Sequence, residues 1–304
     1  MEYDVQTEYS DPGVHAHLFD ALPDDVAGIA AVVRNLMIHY RGGGIEFTGD
    51  RLAEIDHRWV EAMLTTDQKR NGTSLAEPRE PVDRIVGCCR DYTLLTVSAL
   101  RHKGIPARSR IGFADYFRGG YNHDHVVVEY WNGDRWVMTD AQLDPDGNHP
   151  FDIQDMPRGP FLSEPRGPFL SAAEVWLGVR SGDLDADLFG IDPGSPISGG
   201  WFIRNYVHYQ LAHLQGNELL LWDNWGTMTD TLDGADGQLT DEIAALLVAS
   251  DNNDETATKD LTDRYRTNPD LRPTGRSYIT SPTGAAHTWI DLVPPDRQYT
   301  LVRT

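Results

Sequence analysis

Three residue types that together can carry out acyl transfer occur in order within residues 87 to 145: Cys89, His125 and Asp140. A cysteine opens an expected helix, a histidine opens a strand, and an aspartate closes the next strand. A thiolate nucleophile needs a base within reach, and the base needs a third group to orient it. The segments between these residues must therefore bring a helix start and two strands to one place.

The strand pair can be read closely. His125-Val126-Val127-Val128-Glu129-Tyr130-Trp131 alternates and is rich in valine and aromatics, which predicts a strand. Asn132-Gly133 signals a two-residue turn, because both central residues of that turn take positive φ. The segment from Arg135 to Asp140 then returns antiparallel. With Asn132 and Gly133 as the two loop residues, Trp131 pairs with Asp134 and His125 lies directly opposite Asp140. Directly opposed residues share a face, with Cβ atoms about 4.5–5.5 Å apart. The carboxylate would then accept from the imidazole and fix its tautomer. Glu129 is expected on the same face as His125, paired with an arginine or lining the cleft. Arg108 and Arg110 are read as structural partners of acidic groups.

The cysteine end has its own signals. Cys89 to Lys103 reads as a helix, with Asp91 in the first turn and Arg101, His102 and Lys103 in the last, both suited to the helix dipole. Gly104 and Pro106 follow as helix-ending residues. Tyr92, Leu95 and Ala99 share one face, so the helix should be buried. Free N–H groups at its start lower a thiol pKa, and the same groups could hold an oxyanion. Cys88, the only other cysteine, is read as structural.

These residues resemble the transglutaminase-like superfamily of the papain-like fold. The resemblance rests on Cys89-Arg90-Asp91-Tyr92, on Gly104-Ile105-Pro106-Ala107-Arg108, on His125 followed by a strand ending Glu129-Tyr130-Trp131, and on Trp136-Val137-Met138-Thr139-Asp140. It covers roughly residues 82 to 145. It implies Cys89 as nucleophile, His125 as base and Asp140 as orienter. Two positions depart from the usual pattern: Val126 stands where Trp often follows the histidine, and Ala141 where Pro often follows the aspartate. The wider arrangement is similar to a group of bacterial proteins with Asp140-Ala141-Gln142-Leu143-Asp144 and a Trp222-Asp223-Asn224-Trp225-Gly226 segment. Some transglutaminases use calcium, but no acidic window here has the Gly and Glu that a calcium-binding hand loop requires. No cofactor or metal is expected, and the His123-x-His125 pair lacks further ligands.

Composition bounds the class. The 304 residues are 40% hydrophobic, ordinary for a globular protein, and carry a formal net charge of −21. Such a surface repels nucleic acid and anionic membrane, so neither is an expected partner. Adjacent cysteines cannot staple distant segments, which fits a reducing compartment. The start, Met1 to Gly13, has neither a basic region nor an apolar run, and no stretch approaches membrane-spanning length. A cytoplasmic location is expected.

The chain reads as an α+β fold, a Cys-bearing helix packed on an antiparallel sheet, with helical extensions on both sides. Residues 1–80 form the helical N-terminal segment, 81–150 the transglutaminase-like core and 151–304 a mostly helical C-terminal extension, all in one integrated domain. In the first segment, one helix should run from Asp24-Asp25 through Tyr40 to the glycines at 42–44. A second should run from about Leu52 through Ile55, Trp59 and Met63. Histidines 15, 17, 39 and 57 are read as surface or packing residues. A tandem repeat, Pro157 to Ser163 and Pro165 to Ser171, is read as an extended loop, with a flap over the site as the alternative. Ser171-Ala172-Ala173-Glu174 is a capping box that should open a helix. Further helices are expected from Phe202 to Gln215 and over 240–249, and a last strand near His287 to Val293. The segment Leu219 to Gly226 is read as core packing, with Trp222 and Trp225 as the alternative wall of an acyl-donor pocket.

The expected function is cysteine-dependent acyl transfer through a thioester. The donor would be an amide, ester or thioester on a peptide, protein or small molecule, and the acceptor water or an amine. The alternatives are a catalytically silent binding or scaffold module, and a cysteine protease.

Overall fold

The computed structural model describes residues 2–159, 167–229 and 237–294. Helix α1 (Val26–Leu36) starts at Asp25, whose carboxylate accepts from the Gly28 N–H at 2.8 Å, and buries Ile29, Ala30, Val33 and Leu36. It stops short of Tyr40, and the chain continues as strand β1 (Met37–His39). The reason is a partner: β1 pairs in parallel with β2 (Ile85–Gly87), Met37 opposite Ile85 and His39 opposite Gly87. Met37 and Ile38 are both buried and enter different apolar clusters. Successive side chains of a strand point to opposite faces, whereas a helix turns by only 100° between them.

The second expected helix is broken in two. Short α2 (Gly49–Leu52) runs through a 3-10 turn, Ala53–Asp56, and α3 (Val60–Arg70) starts after extended residues at His57 and Trp59. The carbonyls of His57 and Arg58 accept from the Arg90 guanidinium, at 3.1 and 2.6 Å. A continuous helix would have used both carbonyls internally.

Helix α4 (Cys89–His102) lies at the centre, and every residue in it except His102 is buried. Gly104 follows at φ +74°, the left-handed conformation that ends a helix without a Cβ clash. Burial on all sides leaves its polar side chains to find partners inside the protein. Thr93 donates to the Val126 carbonyl at 2.9 Å, Ser98 to that of Ser10 at 2.5 Å, and Arg101 to that of Ala107 at 3.0 Å. Arg90, fully buried, donates to Asp91 at 2.8 Å, to the two carbonyls in the 57–58 segment and to the Glu218 carbonyl.

Beneath α4 lies an antiparallel sheet of β3 (Ala107–Arg118), β4 (Tyr121–Trp131), β5 (Trp136–Thr139) and β6 (Phe169–Ser171), in the order β5-β4-β3-β6. A further strand, β7 (Phe189–Gly190), joins β4 in parallel beside Asn122 and His123. Val126 and Val128 face the α4 side, while Val127 and Met138 face a second apolar cluster with Ile153 and Met156. Gly112 sits opposite His125 on one side and Ser171 on the other. A Cβ there would lie 2.0 Å from the Leu170 carbonyl oxygen, so glycine is what lets β6 approach.

The β4–β5 register differs from the expected one. Trp131 pairs with Trp136 and Val128 with Thr139, so the loop holds residues 132–135 instead of two. Gly133 takes positive φ but Asn132 does not; its side chain instead accepts from the N–H groups of Asp134 and Arg135. The slip amounts to two residues, which preserves the face of every side chain. Asp140 therefore stays on the His125 side, just past the end of β5.

Ser171 caps α5 (Ala172–Ser181) through the expected box with Glu174. β7 (Phe189–Gly190), α6 (Gly200–Leu214), β8 (Asp223–Asn224), α7 (Gly237–Asp251), α8 (Glu255–Thr267), β9 (Arg276–Ile279) and β10 (Thr288–Asp291) complete the chain. The last two strands and β8 form a small second sheet in the order β10-β9-β8. β6 and β7 belong to the main sheet although they come from beyond residue 150. The second copy of the tandem repeat thus ends as a core strand and not as loop; residues 160–166 of the repeat lie outside the described residues.

Arg90 joins the 57–58 segment, the first turn of α4 and Glu218. Arg90→Ala strips buried carbonyls of their donor and leaves Asp91 without its ion pair. It is expected to cost about 3–5 kcal/mol, the range for breaking a buried ion pair. A urea midpoint shifted far less than that would show the contacts to be dispensable.

Candidate active site

Cys89 occupies the first position of α4, and Cys88 is the residue that caps it. The cap works through Asp91, whose carboxylate accepts from the Cys88 N–H at 2.8 Å. The Cys89 N–H has no acceptor among the described residues. Cys89 itself is buried, with its side chain on the wall of a cavity.

His125 reaches this point from β4. Its Nε2 lies 2.7 Å from Asp140 Oδ2, and both side chains are buried. The same carboxylate accepts from the Tyr116 hydroxyl at 2.9 Å and, through Oδ1, from the Gln142 N–H at 2.9 Å. His125 lines the same cavity wall as Cys89, and the two groups influence each other electrostatically. With Nε2 engaged by Asp140, Nδ1 is the nitrogen left for the sulfur. Phe117 packs edge-on to the imidazole, ring centres 4.9 Å apart. The three residues singled out in the sequence are thus brought together, Cys89 to His125 to Asp140.

The electrostatics sort the protons. A hydrogen bond from the Cys88 thiol is the largest influence on Cys89; burial opposes it, and the hydrogen bond and charge of His125 reinforce it. Together they bring Cys89 down to about 6. Burial pulls His125 down, but the charge and hydrogen bond of Asp140, with the contact to Cys89, outweigh it and raise the imidazole to about 10. Burial likewise works against ionised Asp140, and His125 prevails, holding the carboxyl below its ordinary range. Cys88, donating to Cys89 and buried, is pushed well above the usual thiol range. These directions favour a thiolate at Cys89 beside an imidazolium at His125, with Cys88 kept as the neutral thiol.

The cavity has a volume of about 1040 Å³. Its walls come from His39 at the end of β1 and the bend after it (Tyr40 to Gly42), from α6 (Phe202, Asn205, Tyr206 and Tyr209) and from Leu221, Trp222 and Asn224; Tyr278 and His287 close it from further along the chain. Of the substrate-wall candidates, Trp222 lines it, with its indole N–H donated to Asp56 at 2.7 Å. Trp225 does not: it is 2% exposed and packs edge-on to Tyr209. Glu129 does not either. It is fully buried and paired with Arg108 and Arg158, an arginine cage and not a cleft wall.

The sequence reading missed His39, Tyr40 and Arg41, because a helix was expected where the chain forms β1 and a bend. It also missed the α6 aromatics. Phe202, Tyr206 and Tyr209 stand at helical spacing, a pattern that indicates a packed face without saying what the face packs against. Asp124, beside His125, accepts from the Tyr206 hydroxyl at 2.5 Å and lines the same cavity.

Residues 49–141 match the family described as the Transglutaminase-like superfamily, a span that contains Cys89, His125 and Asp140. The chain carries a transglutaminase-like domain. No curated protein matches the chain. A solved structure named "a Putative Cysteine Protease from Cytophaga hutchinsonii" is similar at 19% identity and a TM-score of 0.31. The likeness covers 47% of this chain and 42% of that one, so this chain spans less than half the length of that protein.

In the transglutaminase-like domain, modification of Cys89 by iodoacetamide should be half-maximal near pH 6, against about 8.5 for an ordinary cysteine. Asp140→Asn removes the charge that holds His125 protonated, so the midpoint should move upward. Mass spectrometry assigns the label to Cys89 or Cys88. An ordinary thiol midpoint in the wild type would contradict the ion pair.

Proposed function

We propose that the domain catalyses cysteine-dependent acyl transfer through a thioester, with Cys89 as nucleophile, His125 as acid and base, and Asp140 as the group that orients it. The observation that supports this reading is Cys89 at the buried start of α4, on the wall of a large cavity it shares with His125, whose imidazole lies 2.7 Å from Asp140. The Cys89 thiolate attacks the carbonyl carbon of an amide, ester or thioester. The protonated His125 gives its proton to the leaving amine, alcohol or thiol as the carbonyl re-forms, which leaves a thioester on Cys89. Neutral His125 then takes a proton from water or an amine, and attack on the thioester returns the thiolate. Asp140 stabilises the imidazolium at each stage without taking up its proton.

The partners in this reading are a peptide, protein or small-molecule acyl donor and, for transfer instead of hydrolysis, an amine. A cavity rich in tryptophan, tyrosine and phenylalanine suits a donor with an apolar group beside the reacting carbonyl.

Cys89→Ala should lower turnover of an activated acyl donor by roughly 10⁴-fold or more while the thermal midpoint stays near that of the wild type. Running the wild type with and without a primary amine separates the fates of the thioester: an amide product marks transfer, free acid marks hydrolysis. Retained turnover in the folded Cys89→Ala variant would eliminate the mechanism.

A further inference from the structure

Attack by Cys89 on a carbonyl places negative charge on its oxygen, and a hole with a single N–H donor would leave that charge half served. One donor is at hand, the Cys89 N–H at the start of α4, which meets no acceptor among the described residues. Several donors on the cavity wall are already committed. The Trp222 indole N–H goes to Asp56, and the Asn224 amide goes to the carbonyls of Trp222 and Tyr278.

His39 is different. Its Nδ1 accepts from the backbone N–H groups of Arg41 and Gly42, at 3.2 and 3.1 Å. Two donors aimed at Nδ1 make it the unprotonated nitrogen, so the ring proton is on Nε2. Nε2 meets no acceptor among the described residues, and the ring lines the same cavity as Cys89. Burial, with the charges of Arg41 and His125, holds the imidazole down to about 3, so it stays neutral and keeps that single proton. Position is set by backbone: β1 pairs with β2 so that His39 lies opposite Gly87, two residues before Cys89, and the Tyr40 N–H donates to the Gly87 carbonyl at 3.0 Å. The bend that delivers its two N–H groups is the one that the helix expected through Tyr40 would have abolished.

We propose that His39 is the second donor of the oxyanion hole, its Nε2–H acting with the Cys89 N–H on the oxygen of the tetrahedral intermediate. The assignment rests on Cys89 being the nucleophile. As the sulfur–carbon bond forms, the carbonyl π pair moves to oxygen, where the two N–H groups receive it. When the pair returns, the bond to the leaving group breaks and that group takes the His125 proton. His39 neither gains nor loses a proton, a role that a permanently neutral imidazole can fill.

The test compares two reactions of one sulfur. Acylation by p-nitrophenyl acetate, followed as the first burst of nitrophenolate, develops an oxyanion; alkylation by iodoacetamide does not. His39→Ala should slow acylation by roughly 10²-fold and leave the rate and pH midpoint of alkylation unchanged. His39→Gln, which restores an N–H, should recover most of the acylation rate. Equal losses in both reactions would make His39 structural and overturn the assignment, as would undiminished acylation in His39→Ala. A selective acylation loss in Tyr40→Phe in place of His39→Ala would transfer the role to the neighbouring hydroxyl and also overturn it. A wild type that is neither acylated nor rapidly alkylated would remove the nucleophile reading itself, an outcome distinct from failure of His39 alone.

Discussion

The site depends on one constraint: the N-terminus of α4 is buried, and its charges must be met inside the protein. A helix start exposes N–H groups and a positive dipole end, which in water would be screened. Here Asp91 turns back on the Cys88 N–H, and Arg90 reaches out to carbonyls of two other segments. The guanidinium is well suited to this because it presents a fixed fork of donors and stays charged when buried. With these groups satisfied by the scaffold, the Cys89 sulfur and N–H are left for chemistry. The Arg-Asp pair after the cysteine is therefore an anchor, holding in place the residue that precedes it.

Low dielectric then works in both directions. Burial alone would keep His125 neutral, and Asp140 reverses that only because it is close, buried and itself held by Tyr116 and the Gln142 N–H. The same burial holds His39 down, since its neighbours Arg41 and His125 are cations and no carboxylate among the described residues offsets them. Two histidines on one cavity are thus shifted in opposite directions for one reason, the presence or absence of an adjacent carboxylate.

Much of this was legible in the chain. Capping signals at Asp91, Gly104 and Pro106 located α4 within a residue, and the Ser171 box located α5, because caps are local chemistry. The faces of His125 and Asp140 followed from alternation, which tolerated a register slip of two. What failed was long-range. The segment from Met37 to His39 is a strand because residues 85–87 lie beside it, and the break at His57 exists because Arg90 needs its carbonyl. Neither partner is near in sequence. Trp222 and Trp225 show the same limit: three residues apart and chemically alike, one faces the cavity and the other the core, and only packing separates them.

The cavity wall is assembled from segments scattered between residues 39 and 287. During synthesis on the ribosome, Cys89 leaves the exit tunnel long before Tyr278 and His287. Until those residues arrive, the enclosure around the sulfur is incomplete, although Cys88, His125 and Asp140, which draw its proton away, have already been made. A nascent chain would therefore carry the groups that ionise the thiol before it carries the walls that decide which molecules can reach it.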